Sequence, residues 1–171
     1  MMQATTLREL GAVIKGTDFQ FYEAGAYAAI FVNRNKGSAR KVFFGEETEN
    51  LSLIQSVFDD EITAYVVAQS GPDTAPHTPK FHGVVDYCSI VTRDGKLLDD
   101  HFKPRLVYEM EFIAGLAVKL NQSQHFAVLA QKFKSAGINY VEDASIFEGN
   151  DPPLLIDFGT FDPNPKWDCG H

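Results

Sequence analysis

Apolar positions come in short bursts over the early part of the chain and then settle into a helical period. Phe19 to Asn33 is rich in aromatic and small residues, with Gly25 near its middle, and Ala39 to Phe44 ends in the apolar run Val42-Phe43-Phe44. Runs of this length bounded by polar turn residues read as strands, and Asn33 to Gly37 supplies a polar turn between them. Phe19 to Phe44 is therefore expected to form a three-strand antiparallel meander. From Asn50 to Gln69 the period changes. Leu51, Ile54, Phe58, Ile62, Tyr65 and Val66 recur at steps of three and four, which makes one apolar stripe along a helix. Asn50 is its expected N-cap. Glu61 lies three residues after Phe58 and four before Tyr65, so it falls on the stripe or at its edge. An ionised carboxylate there is costly unless a cation meets it, so this helix calls for a basic partner from elsewhere.

The second half repeats these signals more briefly. Gly71 to Pro79 holds three prolines and reads as a loop. Phe81 to Thr92 and Pro104 to Glu111 read as strands, with a turn at Arg93-Asp94-Gly95. Gln122 to Ser135 is expected to be a second helix, with Phe126, Leu129, Ala130 and Phe133 on one face and Gly137 as its C-cap. Leu154-Leu155-Ile156 reads as a buried strand that ends in Asp157-Phe158-Gly159. The polar stretch from Asp162 to His171 is expected to be poorly ordered.

Composition narrows the class. The chain has 171 residues, 44% hydrophobic and 22% charged, a globular balance that excludes a fibrous or disordered chain and suggests one compact domain. The formal charge is -8, from 15 basic and 23 acidic residues, with no basic run; nonspecific nucleic-acid binding is therefore not expected. Two cysteines, Cys88 and Cys169, make neither a disulfide framework nor a zinc pattern, and thiols are expected to stay reduced. Met1 to Leu10 lacks the apolar core of a secretory signal, and no run is apolar enough to span a membrane. His77, His82, His101, His125 and His171 show no metal-ligand spacing. The acidic run Glu46 to Glu49 reads as a solvated loop that favours the start of the following helix.

Four segments, in order, carry candidate chemistry. They are Glu23-Ala24-Gly25-Ala26-Tyr27-Ala28-Ala29-Ile30-Phe31; Arg40-Lys41-Val42-Phe43, with Glu61 downstream; Arg105-Leu106-Val107-Tyr108-Glu109-Met110-Glu111-Phe112-Ile113-Ala114-Gly115; and Pro153-Leu154-Leu155-Ile156-Asp157-Phe158-Gly159. Taken in this order and at these spacings, the chain resembles the protein-kinase superfamily from about Phe19 to Gly159. The first segment is similar to the hairpin whose small residues let backbone amides cover phosphates, with Gly25 kept and Ala26 a small substitute. The resemblance implies that Lys41 contacts the nucleotide phosphates and pairs with Glu61, the same glutamate that the helix period leaves seeking a cation. It implies that Met110 guards the back of an adenine pocket and that backbone groups of Glu111 and Ile113 bond the adenine edge. It implies that Asp157 holds Mg²⁺ at the end of its strand.

The catalytic loop departs from the family. No His-Arg-Asp occurs in Gly137-Ile138-Asn139-Tyr140-Val141-Glu142-Asp143-Ala144-Ser145-Ile146-Phe147. In one register Asp143 is the base that orients the substrate hydroxyl, and Asn150 approximates a metal ligand. In the other, Asp143 is itself a metal ligand beside Asp157, and the base position falls at Ile138 or Asn139. Both remain open at this stage. The stretch from Gly159 to His171 leaves no room for an activation segment and a helical substrate-binding lobe, which resembles the truncated kinases among bacterial secreted effectors.

The expected fold is thus α+β: a kinase-like N-lobe over about 15–110, a five-stranded antiparallel sheet with one helix, then a much reduced helical C-lobe over 111–162 and a tail over 163–171. The function implied is a minimal ATP- and Mg²⁺-dependent Ser/Thr-type protein kinase, acting on or stimulated by a host protein. Delivery into a host cell by a dedicated secretion system is compatible with that resemblance. Three alternatives stand beside it: a pseudokinase or nucleotide-binding module without phosphotransfer, an unrelated α+β interaction domain, and a small-molecule kinase.

Overall fold

A computed structural model describes residues 3–45 and 51–163. The expectations on Glu46 to Glu49, on Asn50 as a cap and on most of the tail fall outside the described residues. The chain divides into two compact units, Met1–Phe58 with Pro79–Ala114, and Asp59–Thr78 with Gly115–His171.

Unit 1 opens with α1 (Ala4–Glu9) and β1 (Val13–Ile14), followed by β2 (Gln20–Ala24), β3 (Ala28–Asn33) and β4 (Ser38–Phe44). After α2 (Leu51–Ser70), inside which the division between units falls, come β5 (Phe81–Val84), β6 (Ile90–Val91) and β7 (Phe102–Glu111). These strands make one sheet in the order β5-β7-β4-β3-β2-β1-β6, antiparallel throughout. The expected meander is present as β2 to β4. Its second turn closes where Asn33 Oδ1 accepts the Lys36 N–H at 3.1 Å and Gly37 takes φ +64°, a conformation that favours glycine.

Strand alternation sorts the core. Register pairs Val42 with Val107 and Lys41 with Tyr108. Phe31, Val42, Phe44 and Val107 thereby face one way and join Leu7, Ile14, Phe19, Ile90 and Leu98 in a cluster closed by α1, β1 and β6. Phe43 and Tyr108 face the other way, against Phe58 at 5.4 and 6.5 Å between ring centroids and Phe81 at 5.7 Å from Tyr108. Cys88 belongs to the first cluster, and burial pushes its thiol up to about 11, so it is a small core residue and not a nucleophile.

Unit 2 holds the rest of α2, then β8 (Val118–Lys119), α3 (Phe126–Ser135), β9 (Ser145–Phe147) and β10 (Leu154–Ile156). The three strands form a sheet in the order β10-β9-β8. The α3 helix ends as expected at Gly137: φ is +89°, and the Gly137 and Ile138 N–H groups donate back to Lys134 and Phe133 carbonyls at 3.0 Å each. Lys132 and Lys134 in its last turn suit the negative end of the helix.

The fold class expected from the resemblance is overturned. The sheet of unit 1 has seven strands, not five, because β1 and β6 extend it past β2. Both are two-residue strands, too short for any periodicity to register. The single strand expected over Phe81 to Thr92 is broken into β5 and β6, which lie at opposite edges of the sheet. In place of a helical C-lobe, the region after Gly115 holds one ten-residue helix and a three-stranded sheet. Its strands are two or three residues long; β10 is the strand expected over Leu154 to Ile156, whereas β8 and β9 reveal themselves only through pairing. On α2, Val66 is exposed at 51%, and the buried line runs instead through Ile54, Val57, Phe58, Ala64, Tyr65 and Ala68. Glu61 lies along it, half-buried.

Candidate functional site

The sequence-predicted residues fall in two sets. Unit 1 carries Gly25, Ala26, Lys41, Met110, Glu111 and Ile113, and unit 2 carries Glu61, Asp143 and Asp157.

In unit 1, Gly25 and Ala26 are exposed at the tip of the β2–β3 hairpin, closed by the Gly25 N–H on the Ala28 carbonyl at 2.9 Å. Lys41 lies on β4 between Ile30 and Tyr108 of the adjoining strands, half-buried, with Nζ 5.5 Å from the Phe43 ring centroid. A cation held against aromatic faces is attracted by their quadrupoles. Met110 is buried and pairs with Ala39 and Phe81. Glu111 differs from the expectation in one respect. Its N–H already donates to the Lys80 carbonyl at 2.8 Å, and its carboxylate accepts the Lys80 N–H at 3.1 Å. That N–H is therefore already engaged within the sheet edge. Ile113 follows β7, half-buried.

In unit 2 the two aspartates lie on facing stretches of chain. β9 and β10 pair Ser145 with Ile156, and the chains pair again where Tyr140 and Gly159 exchange N–H···O bonds of 2.9 and 3.0 Å. Asp143 and Asp157 lie in the short stretches between those two rungs, one on each chain, and both are exposed. Asp157 has φ +58°, the one non-glycine residue with positive φ among those described. A strained backbone that persists is over-determined by its surroundings, and here the surroundings can be named. Phe158, next in the chain, is 1% exposed, with its ring centroid 4.7 Å from Tyr65 and 5.0 Å from Phe133. Thr160 donates its N–H to Asp60 at 3.0 Å and its hydroxyl to the same carboxylate. Gly159 lets that carboxylate in: a Cβ there would sit 2.2 Å from Asp60 Oδ2. On the facing chain, Asp143 receives the Tyr140 hydroxyl at Oδ2 (3.3 Å), and its carbonyl accepts Lys119 Nζ at 2.7 Å.

Asp60, Thr160, Tyr140 and Lys119 escaped the sequence reading. Asp60 had one legible signal. It sits beside Glu61, and the small residues Ala64 and Ala68 on the buried line mark where another chain segment approaches closely. Reading only Glu61 as the misplaced carboxylate overlooked its neighbour, which is 8% exposed.

An exposed carboxylate is the kind of ligand a hard cation such as Mg²⁺ takes, and Asp143 and Asp157 are the two such groups of this segment that the resemblance singles out. Among the described residues no group of three or more His, Cys, Asp or Glu could hold a metal by itself. Among the described residues no helix is long and apolar enough to cross a membrane. No protein-family profile, curated protein or solved structure matches this chain. The likeness to protein kinases rests on the quoted segments alone.

Proposed function

We propose that the chain binds an Mg²⁺–ATP complex and serves as a minimal protein phosphotransferase of Ser/Thr type. The observation that carries this reading is that Asp143 and Asp157 lie on facing stretches of chain between two paired rungs, the latter held at positive φ. Mg²⁺, when bound, would neutralise charge on the phosphates. The residues of the chain contribute position. Asp157 and Asp143 offer carboxylates, and Asp60 and Phe158 fix the segment that bears Asp157. Phosphoryl transfer demands mostly positioning and charge stabilisation, so a small chain with few polar groups is not disqualified. A protein substrate, or an activating host protein, is the partner this reading implies.

A second reading, nucleotide binding without transfer, has its own observation. Where Asp143 serves as a metal ligand, the base position falls at Ile138 or Asn139. Ile138 is fully buried, and an asparagine amide is not a base. Two measurements separate the readings. Transfer of labelled phosphate from ATP to a generic protein acceptor is expected for the wild type and lost in Asp143→Ala and in Asp157→Ala; transfer unchanged in both variants would overturn the first reading. A thermal shift on adding ATP with Mg²⁺, without incorporation of label, favours the second. No shift and no incorporation reject both.

A further inference from the structure

We infer that unit 1 carries a binding site for a small organic anion in the hollow beside the turn from β1 to β2. A cavity of about 410 Å³ opens there, within the size range of small-molecule sites. The turn Lys15-Gly16-Thr17-Asp18 forms part of its lining, together with apolar Val13, Val91 and Phe19. Gly16 takes φ +73° in this turn, and the Thr17 hydroxyl donates to the Ile14 carbonyl at 2.8 Å while accepting the Phe19 N–H at 3.2 Å, so the turn is braced and not loose.

The charge of the hollow runs against that of the chain. Three cations line it, Lys15, Lys36 and Arg40, against one carboxylate, Asp18, although the chain as a whole carries -8. Arg40 is already matched: Nε is 2.7 Å from Glu109, and its guanidinium lies 4.4 Å from the Phe19 ring centroid. It therefore belongs to the floor of the site, stacked and ion-paired. Lys15 and Lys36 differ. Both are exposed, and neither ammonium has a hydrogen-bond or ion-pair partner among the described residues. The backbone of Lys36 is held by its N–H on the Oδ1 of Asn33, which is 2% exposed and lines the same hollow.

Two unpaired ammonium groups above an aromatic and aliphatic floor define the ligand chemistry. It is a compact molecule with a carboxylate or phosphate head for Lys15 and Lys36 and a small apolar body against the half-buried Val13, while Phe19 stays covered beneath Arg40. This assignment is independent of the phosphotransferase reading, because none of its residues belongs to that set.

Amide chemical shifts of the full chain, titrated with phenyl phosphate, benzoate and benzyl alcohol at fixed ionic strength, test it. Saturable shifts at Gly16, Thr17 and Lys36 are expected with one or both anions and not with the neutral alcohol. The pair of anions tells a phosphate head from a carboxylate. Affinity should fall at least about tenfold in the Lys15→Gln, Lys36→Gln double variant, since charge-assisted hydrogen bonds are lost. It should stay unchanged in Lys103→Gln, a lysine of β7 outside the hollow. Both lysines of the double variant are exposed, so its spectrum away from the turn should remain that of the wild type. The assignment is overturned if neither anion gives a saturable shift, if benzyl alcohol shifts the same amides equally, or if the double variant binds as well as wild type.

Discussion

The seven-stranded sheet of unit 1 and the three-stranded sheet of unit 2 keep their shape by different means. In unit 1, β4 pairs with β3 and β7 over most of its length, and each face of the sheet buries its own aromatic group. Its geometry follows from ladder hydrogen bonds and apolar area, both spread over many residues. In unit 2 the strands span two or three residues, and the segments beside them are held by individual side chains. Asp60 takes Thr160, Lys119 takes the Asp143 carbonyl, and the ring of Phe158 fills the space between Tyr65 and Phe133. His77 adds another tie: Nδ1 donates to the Pro153 carbonyl at 2.9 Å, which leaves Nε2 to accept from Lys132 at 3.3 Å. A distributed structure tolerates a local fault. A structure of single ties does not, but single ties can hold a chosen residue in an unusual conformation. The strained Asp157 occurs in the unit built that way.

That contrast can be broken most directly at Phe158. Phe158→Ala removes a ring that is 1% exposed and in contact with two other rings. A loss of about 3–5 kcal/mol is expected in urea unfolding. A loss below about 1 kcal/mol, within the range of ordinary surface changes, would mean that unit 2 is not organised around this ring.

Asp60→Ala tests the polar tie. The Thr160 N–H and hydroxyl lose their shared acceptor, and a cost of about 1–3 kcal/mol is expected for donors left without a partner in a half-buried place. Gly159→Ala should cost a similar amount by forcing a Cβ against the same carboxylate, while Gly25→Ala, where a Cβ would meet nothing within 4 Å, should be close to neutral. Equal effects at Gly159 and Gly25 would sink the tie as an explanation.

The smallest effect is expected at the Lys134–Glu142 ion pair. The lysine holds the Glu142 carboxyl below its usual range, chiefly by donating a hydrogen bond to it. Both side chains are nonetheless more than two-fifths exposed, so solvent screens the pair. Lys134→Ala should change stability by no more than about 0.5 kcal/mol, and less still in high salt. A larger, salt-insensitive loss would show that such surface pairs belong among the ties of unit 2.

How far the sequence could be read follows the same division. The β2–β4 meander, the strand that became β7, and α2 within a residue or two were legible because each carries its own local pattern of alternation or three-and-four spacing. The turn at Asn33 to Gly37 and the end of α3 at Gly137 were legible because asparagine and glycine state their backbone preference in place. β10 was legible too, as the apolar run Leu154-Leu155-Ile156. β1, β6, β8 and β9 were not: strands of two or three residues without such a run have no period, and their identity lies in a partner elsewhere in the chain. The same is true of the candidate site. Asp157, at the end of an apolar run, stood out, whereas Asp60 did not, because its partner Thr160 is 100 residues away.

What the sequence by itself determined was the set of local elements and the residues with chemistry to offer, since propensity, turn preference and helical spacing act between near neighbours. What only the tertiary structure decided was which of them meet: two extra strands on the first sheet, a second sheet where helices were expected, and the chain of Asp143 laid beside that of Asp157. Those outcomes depend on backbone pairing and on buried carboxylates finding distant donors, and neither leaves a mark within a window of adjacent residues.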